Sequence, residues 1–406
     1  MTALYMGGVV QYGFTALFEP IVQEFGWSYA SVSLAASLRG LETGLLAPVT
    51  GFLADRWGPR RLVMIGSLLT AVGLLLLSLT QSLTMFYGAF VVVALGVSCC
   101  TVTVLMTAVS NWFHRKVGTA SGIALSGFGL SGLVLPLLVA LIASFGWRSA
   151  LQLLSIGAIV VVLPMSLLLR HKPEQYGLAP DGDAGTVVPV TTPERGSIPD
   201  ATAEPRFTVR QAMGTRTFWA IAAVFTYHTL TVSTITTHVM PYLSSVGFDR
   251  AAAAAVATFV PVLSVLGRVG LGWLSDRVDR RKSTVVSHAM MGVGTLCFAL
   301  IPQGGAWLVL PYVLLFGIGF GGSNSLRPAL VREFFGRASF GTVFGLVIGV
   351  NMIGSIAGPP VAGWVFDTFG DYEFAWLALT GLSVASIALI FTIHPAQGRG
   401  SMSIRL

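Results

Sequence analysis

The chain of 406 residues is 54% hydrophobic and only 10% charged, with a mean hydropathy of +0.78. A soluble chain carries about a quarter charged residues, so this composition excludes an ordinary soluble domain and indicates lipid as the main solvent. The formal net charge of +7 does not indicate nucleic-acid binding, because most basic residues lie in short loops between apolar runs. We therefore expect the lipid bilayer, and no nucleic acid, as a partner.

Twelve apolar segments follow one another along the chain. Each has about 20 residues or more, which is enough to cross a hydrocarbon core as a helix. Helices are required because lipid offers backbone groups no hydrogen-bond partner, so the predicted fold class is an all-α membrane protein with twelve transmembrane helices. The segments lie near residues 3–25, 30–54, 62–80, 84–111, 118–145, 148–169, 217–243, 251–275, 283–302, 306–331, 339–367 and 373–394.

The distribution of Lys and Arg predicts the orientation. If the N-terminus is inside, the cytoplasmic loops and tail hold nineteen basic residues, and the outer loops hold only Arg148 and Arg250. Both termini are therefore predicted to be cytoplasmic. No basic region precedes the first apolar run, so we expect no cleavable signal peptide and a multi-pass location in a bacterial cell (inner) membrane.

Residues 171–215 differ from the rest because they are rich in Pro, Gly, Asp and Thr. They predict a flexible cytoplasmic linker, with a short surface helix at its end in TVRQAMGTR. The predicted domains are a six-helix bundle at 1–170, the linker at 171–215, a second six-helix bundle at 216–396 and a cytoplasmic tail at 397–406.

Two charged turns occur twice in the chain. GFLADRWGPRR at 51–61 returns as GWLSDRVDRRK at 272–282, and WFHRKVGTASG at 112–122 is similar to FFGRASFGTVFG at 334–345. The chain is therefore predicted to consist of two homologous, pseudo-symmetric halves in the same orientation. Parallel halves of this kind belong to one architecture of secondary transporters, in which the substrate binds between the halves.

These motifs carry a resemblance to a known family. GFLADRWGPRR and its second copy resemble the loop signature of the major facilitator superfamily. The stretch from NWFHRKVGTASG to SFGWRSA, and RHKPEQYGLAPDG after the sixth segment, resemble the branch that holds the monocarboxylate transporters and the oxalate–formate antiporters. The resemblance covers nearly the whole chain. It implies a transporter in which helices one, four, seven and ten line the cavity.

The repeated turn also predicts a gate. Glycines let membrane helices approach closely, and Asp55 can accept hydrogen bonds from a neighbouring helix N-terminus or pair with nearby arginines. Such contacts would close the inner face and break when the halves move, whereas the alternative is that the basic residues only enforce topology. The gating candidates are Gly51, Asp55, Arg56, Gly58, Arg60, Asp276 and Arg277.

Arg268 is the strongest candidate for substrate contact. A charge within the membrane costs about 3 kcal/mol or more, so such a residue is a functional candidate. A guanidinium binds carboxylates in a bidentate manner, and in the resembled monocarboxylate family an Arg at this position of GR-x-x-x-G-x-x-x-D binds the substrate carboxylate. A structural ion pair is the alternative, although no acidic residue precedes Asp276 on this helix.

Polar stripes on other helices predict the rest of the site. Tyr227, Thr231, Thr234 and His238 are spaced to share one face of the seventh segment, although His238 alone would be interpreted as a hydrogen-bonded structural residue. The tenth segment offers Arg327 as well. The substrate-binding candidates are Arg268, Ser264, Tyr227, Thr231, His238, Tyr12 and Asn324.

The coupling candidates are Glu42, Arg39 and Glu19. Arg39 and Glu42 lie three residues apart and can neutralise each other, so either a structural ion pair or a proton-accepting Glu42 is possible. The chain departs from the animal monocarboxylate transporters, because the first helix has no Lys and the eighth has no Asp before Arg268. The second intramembrane Lys of the oxalate–formate antiporter is also missing from the eleventh helix, which disfavours a dicarboxylate substrate.

The sequence therefore predicts a secondary transporter of small organic anions, such as lactate or pyruvate, coupled to protons and working by alternating access as a monomer. The alternatives are a proton-coupled drug or metabolite exporter of the same fold, and a membrane sensor. An enzyme is not expected. Two G-x-G-x-x-G matches lie inside apolar runs, no P-loop is present, and the three cysteines have no metal-binding spacing, so we expect no cofactor and no metal.

Overall fold

A computed structural model describes residues 2–6, 13–27, 44–131, 135–182 and 208–393, and all its regular elements within these ranges are helical. The helices of the N-terminal half are α1 (Thr2–Met6), α2 (Gly13–Phe25), α3 (44–57), α4 (Pro59–Ser78), α5 (Leu83–Ser98), α6 (Val102–Trp112), α7 (Val117–Leu130), α8 (Leu135–Gly157) and α9 (Leu163–Leu168). Those of the C-terminal half are α10 (Val209–Met213), α11 (Arg216–Ser245), α12 (Arg250–Ser275), α13 (Arg280–Ala299), α14 (Ile301–Gly304), α15 (Val309–Phe335), α16 (Phe340–Phe369) and α17 (Glu373–Phe391).

Within the described residues, eight segments are long and apolar enough to cross a membrane. Large apolar side chains on these helices face outward, with Leu168 72%, Leu310 66% and Phe391 66% exposed, which suits contact with lipid. Most of the predicted second segment, 30–54, lies outside the described ranges, so the twelve-helix layout stays a prediction. The segments are Pro59–Ser78, Leu83–Trp112, Leu137–Leu168, Arg216–Ser245, Ala252–Ser275, Ala306–Phe335, Phe340–Phe369 and Glu373–Phe391.

The predicted fourth segment, 84–111, is interrupted. Helix α5 ends at Ser98 and α6 begins at Val102, and Thr101 between them has extended backbone angles (φ −78°, ψ −179°). The Thr101 hydroxyl donates to the Ser98 carbonyl at 2.9 Å, which satisfies one acceptor at the end of α5. Non-helical backbone at membrane depth is tolerated only where protein or a cavity surrounds it. This interruption therefore marks an interior position.

The boundary between the predicted fifth and sixth segments falls at a kink. Gly146 has a φ of +77°, which L-residues with a side chain rarely adopt, and it divides α8 into two helical pieces. A π-helical turn, Ala158–Val162, then continues α8 into α9. The short helix predicted at the end of the linker is present as α10, where Thr208 and Gln211 form a capping box. Residues 183–207 of the linker lie outside the described ranges.

Three of the four groups of buried apolar side chains in the described residues show how the two halves pack. One lies in the first half, around Phe86 and Phe90, and another lies in the second half, around Trp376. A third joins the two halves, because it contains Leu125 of α7 together with Phe344 of α16 and neighbours on α6, α11 and α15. Since lipid is as apolar as these side chains, close packing rather than the hydrophobic effect holds such helices together.

Candidate functional site

A cavity of about 540 Å³ lies between the two halves. The first half lines it from α1, α3, α5, α6 and α7, including the interrupted stretch between α5 and α6, and the second half lines it from α11, α12, α15 and α16. Its volume falls in the range typical of small-molecule sites. The polar side chains contributed by the second half are His228, Thr229, Ser233, Arg268, Asn324 and Arg327.

Arg268 lies on the wall of this cavity and is only 8% exposed. Its Nη1 donates to the Leu125 carbonyl of α7 at 2.6 Å, and its guanidinium carbon lies 5.8 Å from the centre of the Phe320 ring. The backbone of α12 is held close to its neighbours here, since Ser325 Oγ donates to the Arg268 carbonyl at 2.8 Å. A second cavity of about 350 Å³ also reaches Arg268 and Phe320. Arg268 therefore presents a positive charge at the junction of two cavities.

Arg327 places a second guanidinium on the same wall. Its Nη2 lies 2.9 Å from Nδ1 of His228 on α11, and both residues are buried. The guanidinium carbon of Arg327 also lies 5.1 Å from the centre of the Phe225 ring. The His228 ring stacks on Phe320, with 5.9 Å between ring centres. Phe320 thus lies beside both Arg268 and His228.

Two further groups complete the polar wall. Asn324 Nδ2 donates to the Phe320 carbonyl at 3.1 Å, one turn earlier on α15. Ser233 Oγ donates to the Ser355 carbonyl of α16 at 3.0 Å. That carbonyl is available because Pro359, four residues later, has no N–H to donate to it. The predicted substrate candidates Arg268 and Asn324 therefore meet at one cavity.

The predicted stripe on α11 faces a different way. Tyr227 and Thr231 are buried and do not line the cavity, and the Tyr227 ring packs beside His288 of α13 at 5.5 Å. His238 is held by Tyr372 Oη at 3.2 Å and by the Pro359 carbonyl at 2.9 Å. Tyr227 and His238 contact neighbouring helices and Thr231 is fully buried, so the stripe marks packing among helices rather than the wall of the cavity.

Of the five other predicted residues, Ser264 does not line the cavity, and the other four lie outside what the structure describes. Ser264 is fully buried on α12, and its hydroxyl donates to the Pro261 carbonyl at 2.6 Å. Tyr12, Arg39 and Glu42 lie outside the described residues. Glu19 belongs to α2, but the placement of its side chain is also outside what the structure describes.

Residues lining the cavity that the sequence analysis missed are His228, Thr229 and Ser233 on α11, and Thr101 and Thr103 next to the helix interruption. The spacing of 229 and 233 is as helical as that of the predicted stripe, so periodicity alone could not choose between the two faces. The signal that could have been used is that His228 directly follows Tyr227, the first residue of the polar stripe on the seventh segment.

The first copy of the repeated turn contacts the start of α16. Gly341 N and Thr342 N donate to the two carboxylate oxygens of Asp55 at 2.8 Å each, and Thr342 Oγ1 donates at 2.8 Å as well. These N–H groups belong to the first turn of a helix, where they have no partner within the helix and attract negative charge. A Cβ added to Gly51 would overlap the Gly341 carbonyl oxygen. We call this contact the first latch.

The second copy makes the equivalent contact with the start of α7. Gly118 N donates to Asp276 at 2.8 Å, Thr119 N at 2.7 Å and Thr119 Oγ1 at 2.6 Å. A Cβ added to Gly272 would lie 2.5 Å from the Gly118 carbonyl oxygen. We call this contact the second latch. Each latch joins an aspartate of one half to a helix N-terminus of the other half, so both latches are closed in this structure.

The remaining gating candidates lie at the same end of the molecule. Arg56, Arg60 and Arg277 are exposed, and the Arg277 guanidinium covers the Trp273 ring of its own helix at 3.8 Å. Gly58 has a φ of +84° and caps α4. These arginines therefore do not form the latches, whereas Gly58 shapes the turn that ends α3.

The first residues of the linker are attached to both halves at this end. Asp181 accepts hydrogen bonds from the backbone N–H groups of His114, Arg115 and Lys116 at 3.0, 2.8 and 3.4 Å. Glu174 forms an ion pair with Arg337 of the second half. Burial raises the pKa of Asp181, but the three N–H donors outweigh it, so its pKa lies below the usual value.

The fold and the cavity define a multi-pass membrane carrier. The family model of the Major Facilitator Superfamily matches residues 2–359. The chain therefore belongs to the major facilitator superfamily, and it is a transporter rather than an enzyme.

Curated relatives and solved structures agree with this family. Monocarboxylate transporter 12-B of Danio rerio is 27% identical over 388 residues, covering 92% of this chain and 80% of the relative. Monocarboxylate transporter 11 of Mus musculus is 31% identical over 378 residues, covering 89% and 76%. The proton:xylose symporter XylE superposes with a TM-score of 0.73 at 12% identity, covering 97% and 94% of the two chains, which shows the same fold. The transporter FucP, in an outward conformation, superposes with a TM-score of 0.70 at 16% identity, covering 97% of each chain.

Proposed function

We propose that this protein is a secondary active transporter of small organic anions, with monocarboxylates such as lactate or pyruvate as substrates. The observation that carries the proposal is the guanidinium of Arg268 on the wall of a cavity between the two halves. A guanidinium is always charged and binds both oxygens of a carboxylate, so it favours anions over cations. The identity to monocarboxylate transporters over most of the chain supports the same substrate class.

Transport would proceed by alternating access. The nineteen basic residues predicted on the inner side support, by the positive-inside rule, a cytoplasmic position for the latches and for both termini. Because both latches are closed, we assign this arrangement to an outward-facing state. Opening the inner face then requires the N-terminal bundle (1–170) and the C-terminal bundle (216–396) to separate at Asp55 and Asp276. The linker (171–215) would tether the two bundles, with the tail (397–406) in the cytoplasm.

Protons would drive uptake: Glu42, Glu19 and the histidines within the membrane segments are groups that can bind a proton, and no nucleotide-binding motif is found in the sequence. Glu42, Arg39 and Glu19 stay predictions for the coupling site. We propose a monomer in a bacterial cell membrane as the working form, because the two halves already supply both walls of the cavity.

The test is uptake of labelled lactate, pyruvate, formate and oxalate into proteoliposomes, with and without an inward proton gradient. We expect one acid to accumulate with the gradient. Arg268→Ala should reduce that uptake by about tenfold or more, because a hydrogen bond to a charged group contributes about 1.5–3 kcal/mol. Arg216→Ala is the matched control, since Arg216 is an exposed arginine at the start of α11.

Two results would contradict the proposal. Acid uptake that does not depend on Arg268 would make that residue structural. No uptake of any of the four acids by the wild-type protein would instead favour the alternative, a proton-coupled exporter of drugs or metabolites, which extrusion of a cationic dye would then test.

A further inference from the structure

The contact between Arg327 and His228 fixes where the histidine carries its proton. A guanidinium has only N–H donors, so His228 Nδ1, which lies 2.9 Å from Arg327 Nη2, accepts a hydrogen bond and holds no proton. The other ring nitrogen, Nε2, lies 3.4 Å from the Phe320 carbonyl oxygen, and a carbonyl only accepts. His228 is therefore neutral here, with its proton on Nε2, as this hydrogen-bond network assigns it.

Both members of the pair line the cavity and are nearly fully enclosed, with His228 3% and Arg327 8% exposed. Nε of Arg327 is buried and has no hydrogen-bond partner among the described residues. A buried guanidinium N–H without an acceptor is costly, so an anion entering the cavity offers Arg327 better partners than the imidazole does. Arg327 is thus a hydrogen-bond donor whose acceptor, the His228 imidazole, is weak, and both lie at the edge of a cavity large enough for a substrate.

We propose that His228 is a proton-binding site of the carrier and that Arg327 controls it. When the oxygens of a small organic anion accept hydrogen bonds from the guanidinium of Arg327, the hydrogen bond from Arg327 Nη2 to His228 Nδ1 breaks. Hydrogen bonds from the guanidinium to the carboxylate replace it. A proton taken up from the aqueous solution then binds the free lone pair of Nδ1, while the N–H at Nε2 keeps its hydrogen bond to the Phe320 carbonyl. This inference rests on the proposed function, because it needs an anionic substrate in this cavity.

The electrostatics of the cavity favour taking up the two ions together. The charged or titratable groups near His228 in the described part of the chain are Arg327 on α15, Arg268 on α12 and His288 on α13. The positive charges of Arg327 and Arg268 oppose a proton on His228 while the cavity is empty. A bound carboxylate offsets those positive charges, so the ring can accept a proton when the anion is present. By linkage, the anion and the proton then increase each other's affinity.

His228→Asn separates the two roles of the ring. The amide oxygen of Asn reaches roughly the position of Nδ1 and can accept from Arg327, but it does not take up a proton near neutral pH. Exchange of labelled pyruvate or lactate across a membrane at equal pH moves no net proton, so His228→Asn should reduce exchange far less than it reduces gradient-driven accumulation. Accumulation driven by an inward proton gradient should fall by about tenfold or more, because the proton gradient is no longer coupled to movement of the acid.

His288→Asn is the matched control. His288 is also buried, on the neighbouring helix α13, but it bonds the Thr284 carbonyl of its own helix at 3.0 Å and does not line the cavity. We expect this variant to keep both exchange and gradient-driven accumulation. Thermal unfolding of each purified variant in detergent establishes that it is folded before transport is compared.

A second measurement follows the proton directly. Purified wild-type protein in weak buffer should take up about one proton per bound pyruvate or lactate, as linked binding requires. His228→Asn should take up none, and His288→Asn should behave like the wild type. Arg327→Gln provides an independent test if His228→Asn does not fold, because without the guanidinium Nδ1 is free before substrate arrives and saturating substrate should cause no further proton uptake.

The outcomes separate this inference from the proposed function. If the wild type exchanges acids but His228→Asn still accumulates them with the gradient, or still takes up the proton, the assignment to His228 is wrong and the transport proposal stands. If the wild type exchanges none of the acids, the proposed function fails and this inference fails with it.

Discussion

The two latches make the same contact from opposite directions, but they are built differently around it. In both, two N–H groups and one threonine hydroxyl at a helix N-terminus donate to one aspartate. The turn after Asp55 contains Gly58, at φ +84°, followed by Pro59 at the first position of α4. The turn after Asp276 instead contains Asp279, whose side chain accepts from Arg281 N at 2.7 Å and caps α13.

This difference shows which part of the repeat the contact between the two halves uses. The aspartate, the close glycine and the opposing helix N-terminus are present in both halves, whereas the device that starts the following helix is not. A helix can begin equally well with Pro at its first position or with an Asp cap. Pro has no N–H to leave unpaired, and the Asp side chain accepts a hydrogen bond from an N–H of the first turn. The contact between halves therefore depends on the aspartate and the glycine, and the local cap is interchangeable.

The largest expected effect is from Gly51→Ala. Its methyl group would overlap a backbone carbonyl that no side-chain rotation can remove, and overpacking of this kind costs about 1–3 kcal/mol or more. We expect transport to fall by about a hundredfold, and Gly272→Ala to have a smaller effect because its overlap with Gly118 is less deep. Ser110 is buried on α6, three residues after Thr107, whose hydroxyl lies beside Gly341 of the first latch. Labelling of a cysteine placed at Ser110 should rise in a background without the native cysteines.

Gly270→Ala is the control for this pair. Gly270 lies on α12, two residues before Gly272, and a Cβ there meets nothing within 4 Å. Its transport should match the wild type. Equal transport by Gly51→Ala and Gly270→Ala would show that the close approach at the first latch is not needed.

The next largest effect, on the ratio of closed to open carrier, is expected from Asp55→Asn and Asp276→Asn. Each change keeps one oxygen acceptor but removes the negative charge, which should weaken a latch by about 2 kcal/mol and shift the closed-to-open ratio by roughly thirtyfold. The two single variants should be similar, because the hydrogen bonds of the latches are similar. Labelling at Ser110 measures the shift, and Asp367→Asn, an exposed aspartate of α16, is the control.

The double variant Asp55→Asn/Asp276→Asn tests whether the two latches act separately. If the latches open independently, the free-energy changes of the two single variants add. If they open together as one movement, the free-energy change of the double variant departs from that sum. A single variant that labels like the wild type would show that its latch does not hold the closed state.

A smaller effect is expected where the two turns differ. Asp279→Ala removes a helix cap and should cost about 1 kcal/mol of stability. Gly58→Ala forces an alanine into a backbone conformation (φ +84°, ψ 151°) that is essentially confined to glycine, costing about 1–3 kcal/mol, and its Cβ would lie 2.9 Å from His171 Cγ. Thermal unfolding in detergent measures both. His171→Ala added to Gly58→Ala should recover only the steric part, and full recovery would contradict a backbone origin.

The smallest effect concerns the linker contact of Asp181. Its pKa in the folded protein lies below the usual value, so its contribution is present above about pH 4 and is lost as the pH falls through the folded pKa. We expect proteolysis next to residues 173–182 to increase in that acidic window. Asp181→Asn should remove the pH dependence, and an unchanged profile in that variant would assign the transition to another group.

The latches were largely predictable from the sequence. The repeated turns identified Asp55 and Asp276 and the glycines before them, and one of the two partners proposed for Asp55, a neighbouring helix N-terminus, is the partner found. What the sequence did not supply was the identity of that helix. The contact joins residues 286 and 287 positions apart, and such a pairing depends on how the halves pack.

The cavity was only partly predictable. Arg268 and Asn324 were singled out and lie on its wall, since charges and amides within apolar segments are rare enough to be informative. The stripe of Tyr227, Thr231 and His238 was misplaced, because a polar side chain can be satisfied by a neighbouring helix as well as by a cavity. His238 shows this, bonding the carbonyl of Pro359 on α16.

The interruption between α5 and α6 was also missed. Its residues, including two cysteines and Thr101, are small and apolar or weakly polar, so hydropathy continues across it without a signal. Only the neighbouring cavity makes a non-helical backbone acceptable at that position.

The glycines of the latches have a mechanical consequence. Where Gly51 meets Gly341 and Gly272 meets Gly118, backbone rests on backbone, and a backbone has no rotamers with which to yield. In the proposed alternating-access cycle, closure at this end would therefore have a fixed limit, set by covalent geometry rather than by adjustable side chains. Temperature, lipid tension or bound substrate would then change how often this end of the carrier closes, but not how far.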